Sequence, residues 1–382
     1  MNNKSKTHVF LLPAREENKK LKTHNSSNNK LNNKQMKAKA LNFGKAMSAA
    51  LFVLLLSVAG MKNALAQTQV ATLQHGDDIS VFYGANAFVS AHSAAADGDI
   101  VTLSSGSFTV PSTITKAITL RGAGVVSDSL AGTAPTIFAQ QVVINVSNDS
   151  IPFQVEGILF TNEMHYRTMY NPKFTRCSFN KISYNSSYTM RNAQFVNCMI
   201  KEFNFINATN TTLINSVVWN PTYITNSHTV LLYNSIMRLV YNTSSLEGLS
   251  AFNSIFVRDN NNNNSNLYFP QSTCTFFNCI GIKTGSYAPF GYAYTSGCTT
   301  YSSYQEVFES FTGTFSLEEP FILKDEIATG FLGSDGTQVG IHGGFMPYSN
   351  RPSYMVLKRC NVANKSTIDG KLSVEIEVVT EE

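Results

Sequence analysis

The chain has 382 residues, with 29 basic and 25 acidic side chains and a formal net charge of +4. That basicity is local. Residues 1–66 hold 12 basic and 2 acidic side chains, which leaves 17 and 23, net −6, on the 316 that follow. A nucleic-acid-binding role therefore has no electrostatic support.

The N-terminal 66 residues read as an export segment. A polar, basic leader precedes the apolar run MSAALFVLLLSVAG at 47–60, which is short for a membrane span. Ala64-Leu65-Ala66 then supplies a small-x-small cleavage site. The leader is long, and a start at Met36 would leave an ordinary signal peptide. The first cysteine is Cys177, so no lipid-attachment cysteine follows the run. The expectation is a bacterial-type signal peptide cleaved after Ala66, a secreted or cell-surface protein, and no membrane span in the mature form.

Residues 79–95 give a short strand and then a helix with Phe88, Ala91 and Ala95 on one face. Asp97-Gly98-Asp99 turns the chain into two strands, DIVTLSSGSFTV at 99–110 and ITKAITLRGAG at 114–124. A helix here suits the N-terminal cap of a repeat array, whose open end must be closed.

The centre of the chain is repetitive. FTRCSF, FVNCMI, LINSVV, LYNSIM, FNSIF and FFNCIG share one pattern: apolar, any, Asn, Cys or Ser, apolar, apolar. Its turn position falls at Arg176, Asn197, Asn215, Asn234, Asn253 and Asn278, in steps of 21, 18, 19, 19 and 25. The longest step contains the tract DNNNNNSN at 259–266, read as a bulging loop. Units of about 20 residues, rich in β-branched and aromatic residues, cannot bury an apolar face alone and must stack on their copies. The fold class expected is all-β, a parallel β-helix, with Asn at a left-handed corner and Asn amides bonding along the stack. One column, Gly157, Cys177, Cys198, Ser216, Ser235, Ser254 and Cys279, is small and reads as inward. A second, Leu159, Phe179, Ile200, Val218, Met237, Phe256 and Gly281, reads as core. The corner column extends back to Glu156, which should sit beside Arg176.

GDIVTLSSGSFTV with ITKAITLRGAG, and FILKDEIATGFLGSDGTQVGIHGGFMP at 321–347, resemble the opening and closing segments of secreted bacterial right-handed parallel β-helix proteins of the pectin lyase-like superfamily. The resemblance spans roughly residues 75–350 and implies a right-handed coil. It bears weakly on function, because that superfamily holds lyases, hydrolases, adhesins and non-catalytic members. The domain plan is a leader at 1–66, a β-helix at 67–350, and a β-hairpin at 351–382 in which YMVLKRCNV and KLSVEIEVV flank NKSTIDG. Leu372, Val374, Ile376 and Val378 alternate with polar residues there, so one face should be buried.

Enzymes of this fold need a base with acid-binding groups, or paired carboxylates on neighbouring coils. Residues 150–300 hold only Glu156, Glu163, Glu202, Glu247 and Asp259, and no two share an outer column on adjacent coils. The signatures of the pectin-hydrolysing and pectate lyase branches are missing. No histidine pair has metal-ligand spacing, so no cofactor or metal is expected. Cys177, Cys198 and Cys279 read as buried thiols, with Cys274, Cys298 and Cys360 unassigned. The function expected is non-catalytic binding of an extracellular polysaccharide, a cell-surface glycan or another surface partner. A polysaccharide lyase or hydrolase and a structural stalk are the alternatives. The candidate contact is Trp219, the single tryptophan, standing on the outer wall between Lys201 and Arg238 with Tyr223 and Tyr241 bordering it.

Overall fold

A computed structural model describes residues 69–350 except 128–133, 185–187, 223–228, 240–247, 259–272 and 284–287, and the backbone of Val356–Val362 and Val374–Val379. The unit Thr68–Pro352 is a parallel β-solenoid of about 8 turns. Successive rungs pair in register, for example Leu213↔Leu232, Leu232↔Ala251 and Ala251↔Phe276. Among the described residues the coils build a 12-stranded and a 13-stranded sheet. The Asn-rich tract at 259–266 lies outside the described residues.

A corner shared by successive coils passes through the left-handed backbone region. Arg176 (φ 51), Asn197 (54), Asn215 (47), Asn234 (47), Asn253 (52) and Asn278 (49) all adopt positive φ, where Asn is better tolerated than other side chains. The first rung corrects the alignment made from sequence. Thr175 pairs with Glu156, so Gly157 (φ 67), not Glu156, occupies the corner beside Arg176. Everything after it shifts by one: Phe160, not Leu159, pairs with Phe179 and is buried. Arg176 still reaches diagonally to Glu156, with Nη1 3.0 Å from Oε1.

Behind the corner, Cys177, Cys198, Ser216, Ser235, Ser254 and Cys279 form a buried small column. The Ser216 hydroxyl lies 2.8 Å from the Ile214 carbonyl and accepts the Cys198 N–H at 3.0 Å. Ser235 and Ser254 accept from the preceding rung in the same way, at 3.2 and 3.1 Å. The column is small because the bend leaves no room, and polar because the bend exposes backbone groups that need partners. Phe179, Ile200, Val218, Met237 and Phe256 fill the interior. Aromatic rings stack along it, Phe160 on Phe179 at 4.7 Å and Phe174 on Phe195 at 5.0 Å.

The helix Ala87–Ala94 packs against the strands Val70–His75, Asp78–Tyr83 and Ile100–Leu103. Phe88, Ala91 and Ala95 join the core, with Phe88 stacked on Phe138 at 5.2 Å. His92 is buried beside them, and its Nε2 accepts the Thr115 N–H at 3.3 Å. In the separate C-terminal unit, Val356–Val362 pairs antiparallel with Val374–Val379. The burial expected of Leu372, Val374, Ile376 and Val378 falls outside the described side chains.

Two outcomes follow. Burial, with Lys116 nearby, lowers the His92 pKa to about 4. Between that value and the ordinary 6.5 the unfolded chain takes up a proton that the folded chain refuses, so stability is lost as pH falls from about 6.5 towards 4. His92→Gln should flatten this part of the stability–pH curve; an unchanged slope would contradict the burial. The second outcome concerns the corner. Asn215→Val should destabilise by about 1–3 kcal/mol through backbone strain, and urea melts of equal midpoint would remove Asn215 from the left-handed corner.

Candidate functional site

Consecutive apolar residues in each repeat face opposite ways. Val218 points into the coil, whereas Val217 belongs to a second apolar cluster outside it. That outer cluster is a stripe on the 13-stranded sheet: Met199, Val217, Ile236, Ile255 and Ile280, with Trp219, Val257 and Ile282 beside it. The segment after the last coil covers it, through Val307, Phe308, Phe311, Phe321, Leu323, Ile327, Val339 and Ile341.

Trp219 is part of this covered stripe. It faces outward as its column requires, yet it is only 4% exposed. Phe311 meets it edge-on at 5.2 Å, Phe315 stacks on it at 5.3 Å, and Phe321 closes in at 6.0 Å. The Arg238 guanidinium carbon sits 4.9 Å from the ring centroid, while its Nη1 donates to Asn220 Oδ1 at 2.8 Å. Lys201 is exposed and donates to Asn180 Oδ1 at 3.3 Å. The expected open platform at Trp219 is therefore corrected: both ring faces are occupied by the chain itself, leaving no face for a sugar. Tyr223 and Tyr241 lie outside the described residues.

The corner asparagines also do something other than expected. Their amides hold the returning C-terminal segment rather than each other. Asn215 Nδ2 donates to the carbonyls of Ile341 (2.8 Å) and Gly343 (2.7 Å). Asn253 Oδ1 accepts the Ser334 N–H at 2.9 Å, and its backbone carbonyl accepts the Gly340 N–H at 2.8 Å. Asn197 donates to Pro347 O at 3.4 Å. Asn234 lies under Gly344, where an added Cβ would come within 2.9 Å of its Oδ1. Asn278 faces Gly297 instead, the next corner residue, at φ 67.

A second asparagine column carries the bonding along the stack. Asn171, Asn192 and Asn210 have φ of 52, 54 and 55. Asn192 Nδ2 donates to Asn171 Oδ1 at 2.9 Å, and Asn210 Nδ2 to Asn192 Oδ1 at 3.1 Å. An amide offers two N–H donors and two lone pairs, so the ladder leaves Asn192 one of each for solvent. The adjoining strand ends pair Tyr170 with Arg191 and Arg191 with Thr209. Arg191 lies 5.5 Å over the Tyr170 ring and Arg167 lies 5.6 Å over Tyr188. Asp149, Tyr170, Asn171, Arg191 and Asn192 line a cleft of about 240 Å³. The sequence did carry a signal for this site. The spacing of 171, 192 and 210 repeats the steps of 176, 197 and 215, but in a chain rich in Asn it reads as composition.

The remaining surfaces offer less. Tyr233, Phe252 and Phe277 form a partly exposed row on the 12-stranded sheet, stacked at 5.1 and 5.2 Å and nearly parallel. Those rings cover one another's faces and present edges. Among the described residues Glu163 and Glu202 do not form a hydrolytic pair. Lys181 pairs in register with both Glu163 and Glu202, which places the two acids two rungs, roughly 10 Å, apart with a lysine between them. Lys181 Nζ lies 3.1 Å from Glu163 Oε1, and Gln141 donates to Oε2 at 3.0 Å. Burial works to raise the Glu163 pKa, but contacts with Ser183, Lys181 and Gln141 outweigh it and hold the carboxyl below its usual range, the wrong direction for a general acid. Among the described residues no group of three or more His, Cys, Asp or Glu is placed to hold a metal ion, and no helix is long and apolar enough to cross a membrane. No protein-family profile, curated protein or solved structure matches the chain.

Burial of the single tryptophan is directly checkable. Its emission should be that of an apolar environment and resist quenching by iodide, and Phe321→Ala should admit the quencher. Ready quenching of the unsubstituted protein would mean that the C-terminal segment does not cover Trp219.

Proposed function

We propose that this is a secreted or cell-surface right-handed β-helix of the pectin lyase-like type, closed at its N-terminal end by the helix Ala87–Ala94, that binds an extracellular polysaccharide or cell-surface glycan without catalysis. One observation carries the reading. The Asn171–Asn192–Asn210 ladder leaves amide donors and acceptors facing a cleft that also offers an arginine, a tyrosine and a carboxylate. Sugar hydroxyls need paired donors and acceptors at fixed spacing, and amides in register supply them rung after rung. Arg191 adds a cation for glycans with acidic substituents. The ion-paired state of Glu163 and Glu156, and the spacing of Glu163 from Glu202, speak against the hydrolase alternative. A stalk with no ligand is separated from this reading by binding itself.

The test is a glycan array probed with residues 67–382, covering neutral and acidic polysaccharides, followed by titration of any ligand found. Arg191→Ala and Asn192→Gly, the latter retaining the left-handed backbone, should each weaken binding at least about tenfold, equivalent to roughly 1.4 kcal/mol. Tyr233→Ala should leave it unchanged. Capture of no glycan, or binding indifferent to Arg191 and Asn192, overturns the site. Appearance of new reducing ends or unsaturated products overturns the non-catalytic assignment.

A further inference from the structure

The small inward column ends in a pair of thiols. Cys279 and Cys298 occupy it on successive rungs, between the register pairs Phe277↔Ser296 and Ile280↔Thr299. The Cys279 N–H donates to Cys298 Sγ at 3.4 Å, the same link that Cys198 makes to the Ser216 hydroxyl. In-register rungs hold Cα atoms about 4.8 Å apart, inside the roughly 4.4–6.8 Å span of a disulfide.

Cys177 and Cys198 are stacked likewise, but both are fully enclosed and packed between rungs above and below. The terminal pair differs in two ways. Cys298 is only half-buried. The strands on either side of it, Tyr294–Ser296 and Thr299–Tyr301, are the last of their two sheets. In-register side chains run parallel and must close towards each other for a bond to form. A last rung with no described strand paired beyond it, entered through Gly297 at φ 67, can make that adjustment where an interior rung cannot.

We propose that Cys298 is a thiol-modification site whose reaction with a small disulfide resolves into an intramolecular Cys279–Cys298 disulfide. The Cys298 thiolate attacks one sulfur of the small disulfide. That S–S bond breaks, a mixed disulfide forms on Cys298, and the first small thiol leaves with a proton from solvent. Cys279 then gives up its proton and attacks the Cys298 sulfur, expelling the second small thiol. Two protein thiols are oxidised by two electrons and one small disulfide is reduced to two thiols. The order follows from the sites. The Cys279 side chain holds the Cys298 pKa down to about 7, so its thiolate is populated at neutral pH, whereas burial pushes Cys279 well up. The product staples the last rung to the one before it. Export, as expected from the leader, would place the protein where such bonds persist.

The experiment uses the full chain, reduced, freed of reductant and incubated with oxidised glutathione, then mapped by mass spectrometry without reduction. A peptide linking Cys279 to Cys298 is expected, with the chain lighter by two hydrogens and Cys177, Cys198 and Cys274 still alkylatable after unfolding. Cys279→Ser should stop at a glutathione adduct on Cys298, and Cys298→Ser should abolish both products. An unreacted Cys298, an adduct on the unsubstituted chain that never resolves, or a bond from Cys298 to Cys360 would each overturn the proposal. None of these readouts depends on glycan binding.

Discussion

From Gly157 onward each coil turns through the left-handed region at one shared corner, and the side chain at that corner is constrained by the backbone rather than by its own packing. Asn meets the constraint from Asn197 to Asn278, and Gly meets it at Gly157 and Gly297. Much else is arranged around this bend. From Cys177 to Cys298 the residue that follows is Ser or Cys, set where strands crowd, with an oxygen or sulfur to satisfy backbone groups of the neighbouring rung. The amides, held outward at a fixed spacing, become a rail on which residues 334–347 are hydrogen-bonded.

That rail explains how a sheet with an apolar outer stripe avoids exposing it. A continuous patch of Met199, Val217, Ile236, Ile255 and Ile280 facing water would invite association. The chain returns over its own coils and buries the stripe under Phe308, Phe311, Phe321 and Ile341. Burying side chains of this size contributes about 1.5–3 kcal/mol each before the entropy of ordering the segment is counted. The glycines of this segment have a local reason as well: Gly343 would place a Cβ 1.6 Å from the Gln338 carbonyl. By contrast, Asn192 and Asn210 stay exposed among the described residues, with Asn171 partly so.

The solenoid was legible because its signal is periodic. Equal spacing of Asn215, Asn234 and Asn253 sets the rungs, and Ser216 and Val218 distinguish bend from core. The first rung is ambiguous in sequence because Glu156 and Gly157 are neighbours and Glu156 offers Arg176 a charge partner; positive φ selects Gly157. The column of Trp219 marks it as outward-facing, but its cover comes from residues about a hundred positions later in the chain, a contact that no local pattern encodes. Two adjacent apolar residues in every repeat were the available hint, since neighbours on a strand face opposite ways. The exposed ladder was hidden by composition, with its asparagines lost among many others.

The account stands on the C-terminal segment lying fixed on the corner rail and outer stripe. Amide hydrogen exchange measured peptide by peptide tests this most directly. Peptides spanning 304–324 and 333–348, including the Ser334, Gly340 and Lys324 amides bonded to Asn253 and Val307, should exchange as slowly as the core strands Thr211–Ile214 and Val230–Tyr233. Exchange of those two segments at the rate of a free loop, while the coil strands remain protected, would contradict the account.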